Sequence, residues 1–128
     1  MKRIILIVLT ALLLAACTKQ EEVMCQLTLT AQMPSGEKIV ALTVDQKSTG
    51  NYFRNLNTGE TYPIPLIVNG KATLSVLKGV YVISFDGVAA LPDGSAKKVR
   101  CADFATLLTA VSLTEDVQTL ELPLILMQ

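Results

Sequence analysis

The chain has 128 residues, 51% of them hydrophobic, enough to build a core without a structural metal or several disulfides. It carries 11 basic and 11 acidic side chains and no histidine, so it has no Ser-His or Cys-His nucleophile pair, no ordinary zinc site and no imidazole proton shuttle. Balanced charge without a basic stripe also gives no electrostatic case for nucleic acid as a partner; the one basic cluster, Lys97-Lys98-x-Arg100, reads as solvated charge at a hairpin end.

Lys2 and Arg3 precede an apolar run from Ile4 to Ala16 that only Thr10 interrupts. These thirteen residues fall short of the roughly 20 that a membrane-spanning helix needs. A charged start, a short apolar stretch and small residues before a cut are the layout of a secretory signal peptide. The run ends in Leu14-Ala15-Ala16-Cys17, which resembles the lipobox of bacterial lipoproteins. The resemblance implies cleavage before Cys17, acylation of its sulfur and amine, and a membrane partner held through that lipid. The chemistry fits, because a thiolate is the chain's best nucleophile and each buried methylene contributes about 0.8 kcal/mol, so two or three acyl chains hold firmly. No aspartate follows Cys17, which within that family implies the outer membrane. The acidic pair Glu21-Glu22 resembles the short signals that send some lipoproteins of Bacteroidota to the cell surface; the alternative is a solvated spacer.

The expected organisation is therefore a signal peptide over residues 1–16, a lipidated tether over 17–22 and one folded domain over 23–128. Removing residues 1–16 leaves 112 residues and takes away Lys2 and Arg3, so 9 basic residues face 11 acidic ones, a net charge of −2. Two further cysteines remain, Cys25 and Cys101. In an exported protein they either form a disulfide, closing a loop of about 77 residues and stabilising by about 4 kcal/mol on chain-entropy grounds, or stay free as small buried hydrophobes.

From Val23 the sequence alternates strictly: Val23, Cys25, Leu27, Leu29, Ala31 and Met33 share one parity, with polar residues on the other. This predicts a strand with one solvated face, ended by Pro34-Ser35-Gly36. Val40, Leu42 and Val44 predict a second strand. The polar stretch Gln46 to Thr61 reads as a long loop; Tyr52 and Phe53 in it either pack back as a plug or short strand or, with Arg54, present a binding surface. Next, Asn69-Gly70 between Ile64–Val68 and Ala72–Leu77 predicts a hairpin through a type I′ turn, with Pro63 and Pro65 placing the first strand at a sheet edge or start. After a Lys78-Gly79 turn, Tyr81, Ile83 and Phe85 share a parity. Asp86-Gly87 and Pro92-Asp93-Gly94 read as turns bracketing a hairpin end. Phe104, Leu107, Leu108 and Val111 have helical spacing, while Ala110 to Leu113 reads as strand, and Leu120, Leu122 and Leu124 alternate in a last strand.

The order of strand, Asn-Gly turn, strand, Lys-Gly-x-Tyr and strand resembles the prealbumin-like or carboxypeptidase-regulatory-like β-sandwiches of Bacteroidota envelope proteins, on Asn69, Gly70, Lys78, Gly79, Tyr81 and the final leucines. The expected fold is thus all-β, a single antiparallel β-sandwich of about seven strands. Asp86, Asp93, Asp103, Glu115 and Asp116 lie near turns, but no calcium-loop pattern accompanies them, no Ser-x-x-Lys pair appears, and neither a cofactor nor a metal is implied. The expected function is a lipid-anchored, non-catalytic envelope module that presents a surface to a protein or glycan. A fimbria-like subunit using strand exchange is the alternative, and a small envelope hydrolase a weaker third.

Overall fold

The computed structural model describes residues 23–127; the expected leader and Cys17 lie outside them. Strand β1 (Met24–Ala31) follows its alternation, with Cys25, Leu27, Leu29 and Ala31 buried and Gln26, Thr28 and Thr30 on the other face. Strand β2 (Ala41–Val44) buries Leu42 and Val44. Val40 stands before it, exposed, and Ile39 fills the core instead.

The stretch read as a long loop contains strand β3 (Tyr52–Asn55), which the fully buried Phe53 pins to the core. Strands β4 (Ile67–Val68) and β5 (Lys71–Leu77) form the expected hairpin, with φ of 54° at Asn69 and 76° at Gly70 as a type I′ turn requires. The first arm is shorter than expected. Pro63 and Pro65 have no N–H to donate, and the Ile64 N–H goes to the Gln46 side chain at 3.0 Å rather than to a ladder, although Ile64 is buried.

Strand β6 (Gly79–Ala90) is the longest, and it overturns one expected turn: Asp86-Gly87 runs straight through it, with Gly87 opposite Val44 on one side and Val99 on the other. The chain reverses only at Pro92-Asp93-Gly94, into strand β7 (Ala96–Phe104). A 3-10 turn (Leu107–Thr109) leads to β8 (Val111–Leu113), then β9 (Val117–Leu122) and β10 (Ile125–Leu126). The helical spacing around Leu107 and Leu108 does not mark a buried face, because both side chains point to solvent.

All strands join one sheet in the order β10-β7-β6-β2-β4-β5-β1-β9, with β3 and β8 pairing the first half of β6. Among the described residues the fold is all-β, with ten strands rather than about seven because several are two to four residues long. Pairing is antiparallel throughout except between β1 and β9, which run parallel. Lys78-Gly79 is a corner and not a hairpin turn: β5 pairs with β1 and β4, whereas β6 pairs with β2, β3, β7 and β8.

The sheet is open but strongly curled. Its two edge strands, β9 and β10, are separated only by Pro123-Leu124, so at that point the margins lie no more than about 11 Å apart. Pro123 cannot continue a ladder, and Leu124 is buried at the seam. Inside the curl, Leu27, Leu42, Phe53, Tyr81, Phe85 and Val99 belong to one continuous core.

Candidate functional site

The two ends of the curled sheet differ. At the end where β1 begins, Lys78 N–H donates to the Val23 carbonyl and Gln26 N–H to the Asp116 carbonyl, which gathers the corner and the β8–β9 turn around the start of the domain. At the opposite end, Ala31 N–H donates to Gly70 O at 2.9 Å, Asn69 N–H to Val40 O at 2.9 Å and Val40 N–H to Ala90 O at 2.8 Å. These bonds tie four chain segments around a cleft of about 540 Å3, within the usual range for small-ligand sites.

Thr30, Gln32, Lys38, Asn69 and Glu121 bring polar groups to this cleft, and Val40 and Pro92 bring apolar ones. Its floor depends on Gly70: a β-carbon there would sit 2.9 Å from the Ala31 carbonyl oxygen. Ladder register sets its wall, since Thr30 lies opposite Glu121 on β9 and opposite Lys71 on β5. Among the described residues, the ion pairs are Lys78–Asp116 and Arg100–Asp86, so Lys38 and Glu121 bring an unpaired ammonium and carboxylate to the same cavity. Amide, hydroxyl and opposite charges around a partly apolar floor suit recognition of a polar ligand. The cleft holds one carboxylate, where glycoside hydrolysis uses two. A second depression of about 300 Å3 lies between the exposed side chains of Thr43, Asp86, Val88 and Lys98.

Among the described residues, those singled out in the sequence do not assemble into one site. Cys25 and Cys101 are free, fully buried thiols. Burial raises the pKa of both, that of Cys101 to about 12, so neither is a ready thiolate. Tyr52, Phe53 and Arg54 alternate across β3: Phe53 packs edge-on against Tyr81 at 5.0 Å, Tyr52 donates its hydroxyl to Ala105 O at 2.8 Å, and Arg54 lies over the Tyr52 ring at 5.5 Å. Phe53, being fully buried, is closed to any partner. The surrounding stretch is tied down as well, with the Gln46 amide donating to Ile64 O at 2.7 Å and Asn51 Oδ1 accepting from Asp86 N–H at 3.0 Å. Two of the acids read near turns are held by local partners: the Arg100 guanidinium holds the Asp86 carboxyl below its usual range, and Ser95 does the same for Asp93. Among the described residues no group of three or more His, Cys, Asp or Glu side chains could hold a metal ion, and no helix is long and apolar enough to cross a membrane.

Of the cleft residues, Asn69, Gly70 and Pro92 were legible only as turn residues. The others come from β1 and the residue after it, the Lys38–Val40 approach to β2, and β9, which only the sheet brings together. A scan against family models and searches among curated proteins and solved structures gave no match to the chain.

Proposed function

We propose that this protein is a non-catalytic, lipid-anchored component of a bacterial cell envelope, held at the outer membrane through Cys17, which presents the cleft at Gln32, Lys38, Asn69 and Glu121 to a protein or glycan. In this reading the two halves of the curled sheet are the layers of a prealbumin-like sandwich, β9-β1-β5-β4 facing the strands around β6. The observation that carries the reading is the placement of Leu14-Ala15-Ala16-Cys17 seven residues before Met24, where β1 begins. Seven residues reach at most about 25 Å, and β1 then runs about 26 Å from Met24 toward the cleft. An anchor at Cys17 thus leaves the cleft at the far end of the body, open to the aqueous side.

Cys17→Ser in the full chain tests the reading. The expected outcome is loss of the protein from the detergent phase on partitioning and from membrane fractions; unchanged membrane retention refutes lipid anchoring.

The alternative, strand exchange between subunits, draws on the outer edge of β9, which has no partner strand among the described residues. It requires heat-resistant ladders on gels. A strictly monomeric protein in membranes and in solution counts against it.

A further inference from the structure

The 3-10 turn between β7 and β8 exposes two large apolar side chains, Leu107 at 77% and Leu108 at 97%. Single exposed leucines are ordinary, but contiguous ones mark contact surfaces. These two stand in a stretch, Phe104 to Thr114, that contains no charged residue. The polar side chains beside them are engaged with each other: the Thr106 and Thr109 hydroxyls lie 2.9 Å apart, Thr106 N–H donates to Thr109 Oγ1 at 3.1 Å, and Thr109 N–H donates to Thr106 O at 3.0 Å. A tip whose hydroxyls are already partnered loses little on leaving water. The Tyr52 hydroxyl, bonded to Ala105 O, fixes the base of the loop.

The loop also lies toward a particular end of the molecule. Strand β7 leaves β6 at Phe104, opposite Ile83, and β8 rejoins it at Val111, opposite Tyr81. The intervening residues therefore spring from the β6 edge about 7–13 Å from Gly79, in the half of the sheet where β1 begins. Further exposed apolar side chains lie at this end: Val117 at 73%, Val23 and Leu56. A protein partner typically needs about 800 Å2 of complementary surface per side, which a two-leucine tip does not offer. A lipid leaflet needs no such complementarity, and contact with its interface strengthens with the apolar area buried in it.

We propose that Leu107 and Leu108 insert into the leaflet that carries the Cys17 lipid, fixing the tilt of the body and holding the cleft toward the aqueous side. This rests on the reading of Cys17 as lipidated, since seven residues, at most about 25 Å, then separate the leaflet from the start of β1.

The test uses purified full-length lipidated protein carrying Leu108→Cys labelled with an environment-sensitive fluorophore. Glu37→Cys at the cleft end, labelled in the same way, is the reference; Cys25 and Cys101 are buried and do not compete for the label. Both proteins are bound to phosphatidylethanolamine–phosphatidylglycerol vesicles that contain quencher-bearing lipids. The expected result is a blue shift and severalfold stronger quenching at position 108 than at position 37. Equal, solvent-like signals on protein that floats with the vesicles overturn insertion and leave lipid anchoring standing. Protein that does not float overturns both.

Discussion

The Tyr81 hydroxyl donates to the Leu77 carbonyl oxygen at 2.6 Å, closing the corner at which the chain passes from β5 to β6. The ring is fully buried against Phe53 and Tyr62, so the bond is shielded from water. Tyr62 completes the corner from the other side, its hydroxyl accepting from Leu77 N–H at 3.2 Å. The Lys-Gly-x-Tyr motif is therefore structural: Tyr81 reaches back over Gly79 to the last residue of β5.

Tyr81→Phe should keep the ring packing but leave the Leu77 carbonyl without this partner, a loss of about 1–3 kcal/mol for a buried group. Tyr52→Phe removes a hydroxyl bond of similar length from a half-buried site, and should cost only about 0.5–1.5 kcal/mol. Urea unfolding of both variants checks the order; equal costs would deny the corner its special standing.

Alkaline pH should weaken the fold through its buried acids, Tyr81 and Cys101 above all and Cys25 in the same direction. Burial raises Tyr81 to about 12 from an ordinary 10.0, against a lowering by the neighbouring Asn55 amide. It raises Cys101 to about 12 from 9.0, with Asp103 adding to the effect. Both groups are neutral in the folded state at pH values where the unfolded chain has already lost the proton. Their contribution is therefore fully present below about pH 9 and declines as the pH rises toward 12. Unfolding midpoints measured across that window should fall, and Cys101→Ala should lessen the fall between about pH 9 and 10, where cysteine thiols titrate in the unfolded chain ahead of Tyr81; Cys25, whose pKa burial also raises, keeps the remainder. A Cys101→Ala profile parallel to that of the parent protein would contradict this assignment.

Strict alternation made β1, the Tyr81–Ile83–Phe85 run and the Leu120–Leu122–Leu124 end legible in the sequence, because side chains with a two-residue period must divide between core and solvent. Asn69-Gly70 was legible because few other pairs accept two positive φ angles. Strand β3 was hidden because Phe53 carries most of its burial, while the other core-facing position belongs to Asn55. That buried amide works locally, its Oδ1 accepting from Asn57 and Thr58 N–H at 2.8 and 3.1 Å. Asp86-Gly87 imitated a turn because glycine signals both reversal and close backbone approach. The cleft was illegible because Thr30 meets Glu121 only through a parallel pairing across 91 positions of sequence.

Close approach at Gly87 yields the last prediction. A β-carbon built there would lie 2.9 Å from the Thr43 carbonyl oxygen and 3.1 Å from Leu42 Cδ1. The carbonyl belongs to the β2 backbone, which is held to β6 on one side and β4 on the other and so cannot yield cheaply. Gly87→Ala should therefore strain the β2–β6 ladder and cost about 1–3 kcal/mol, as overpacking does elsewhere. At Gly50 a β-carbon would meet only Ser48 Oγ at 4.0 Å, and Gly50→Ala should stay within about 0.5 kcal/mol of the parent. Denaturant midpoints at unchanged slope separate the two cases. A neutral Gly87→Ala would mean that β2 rides loosely on β6, and the bond from Val40 N–H to Ala90 O that helps shape the cleft would then lack a rigid support.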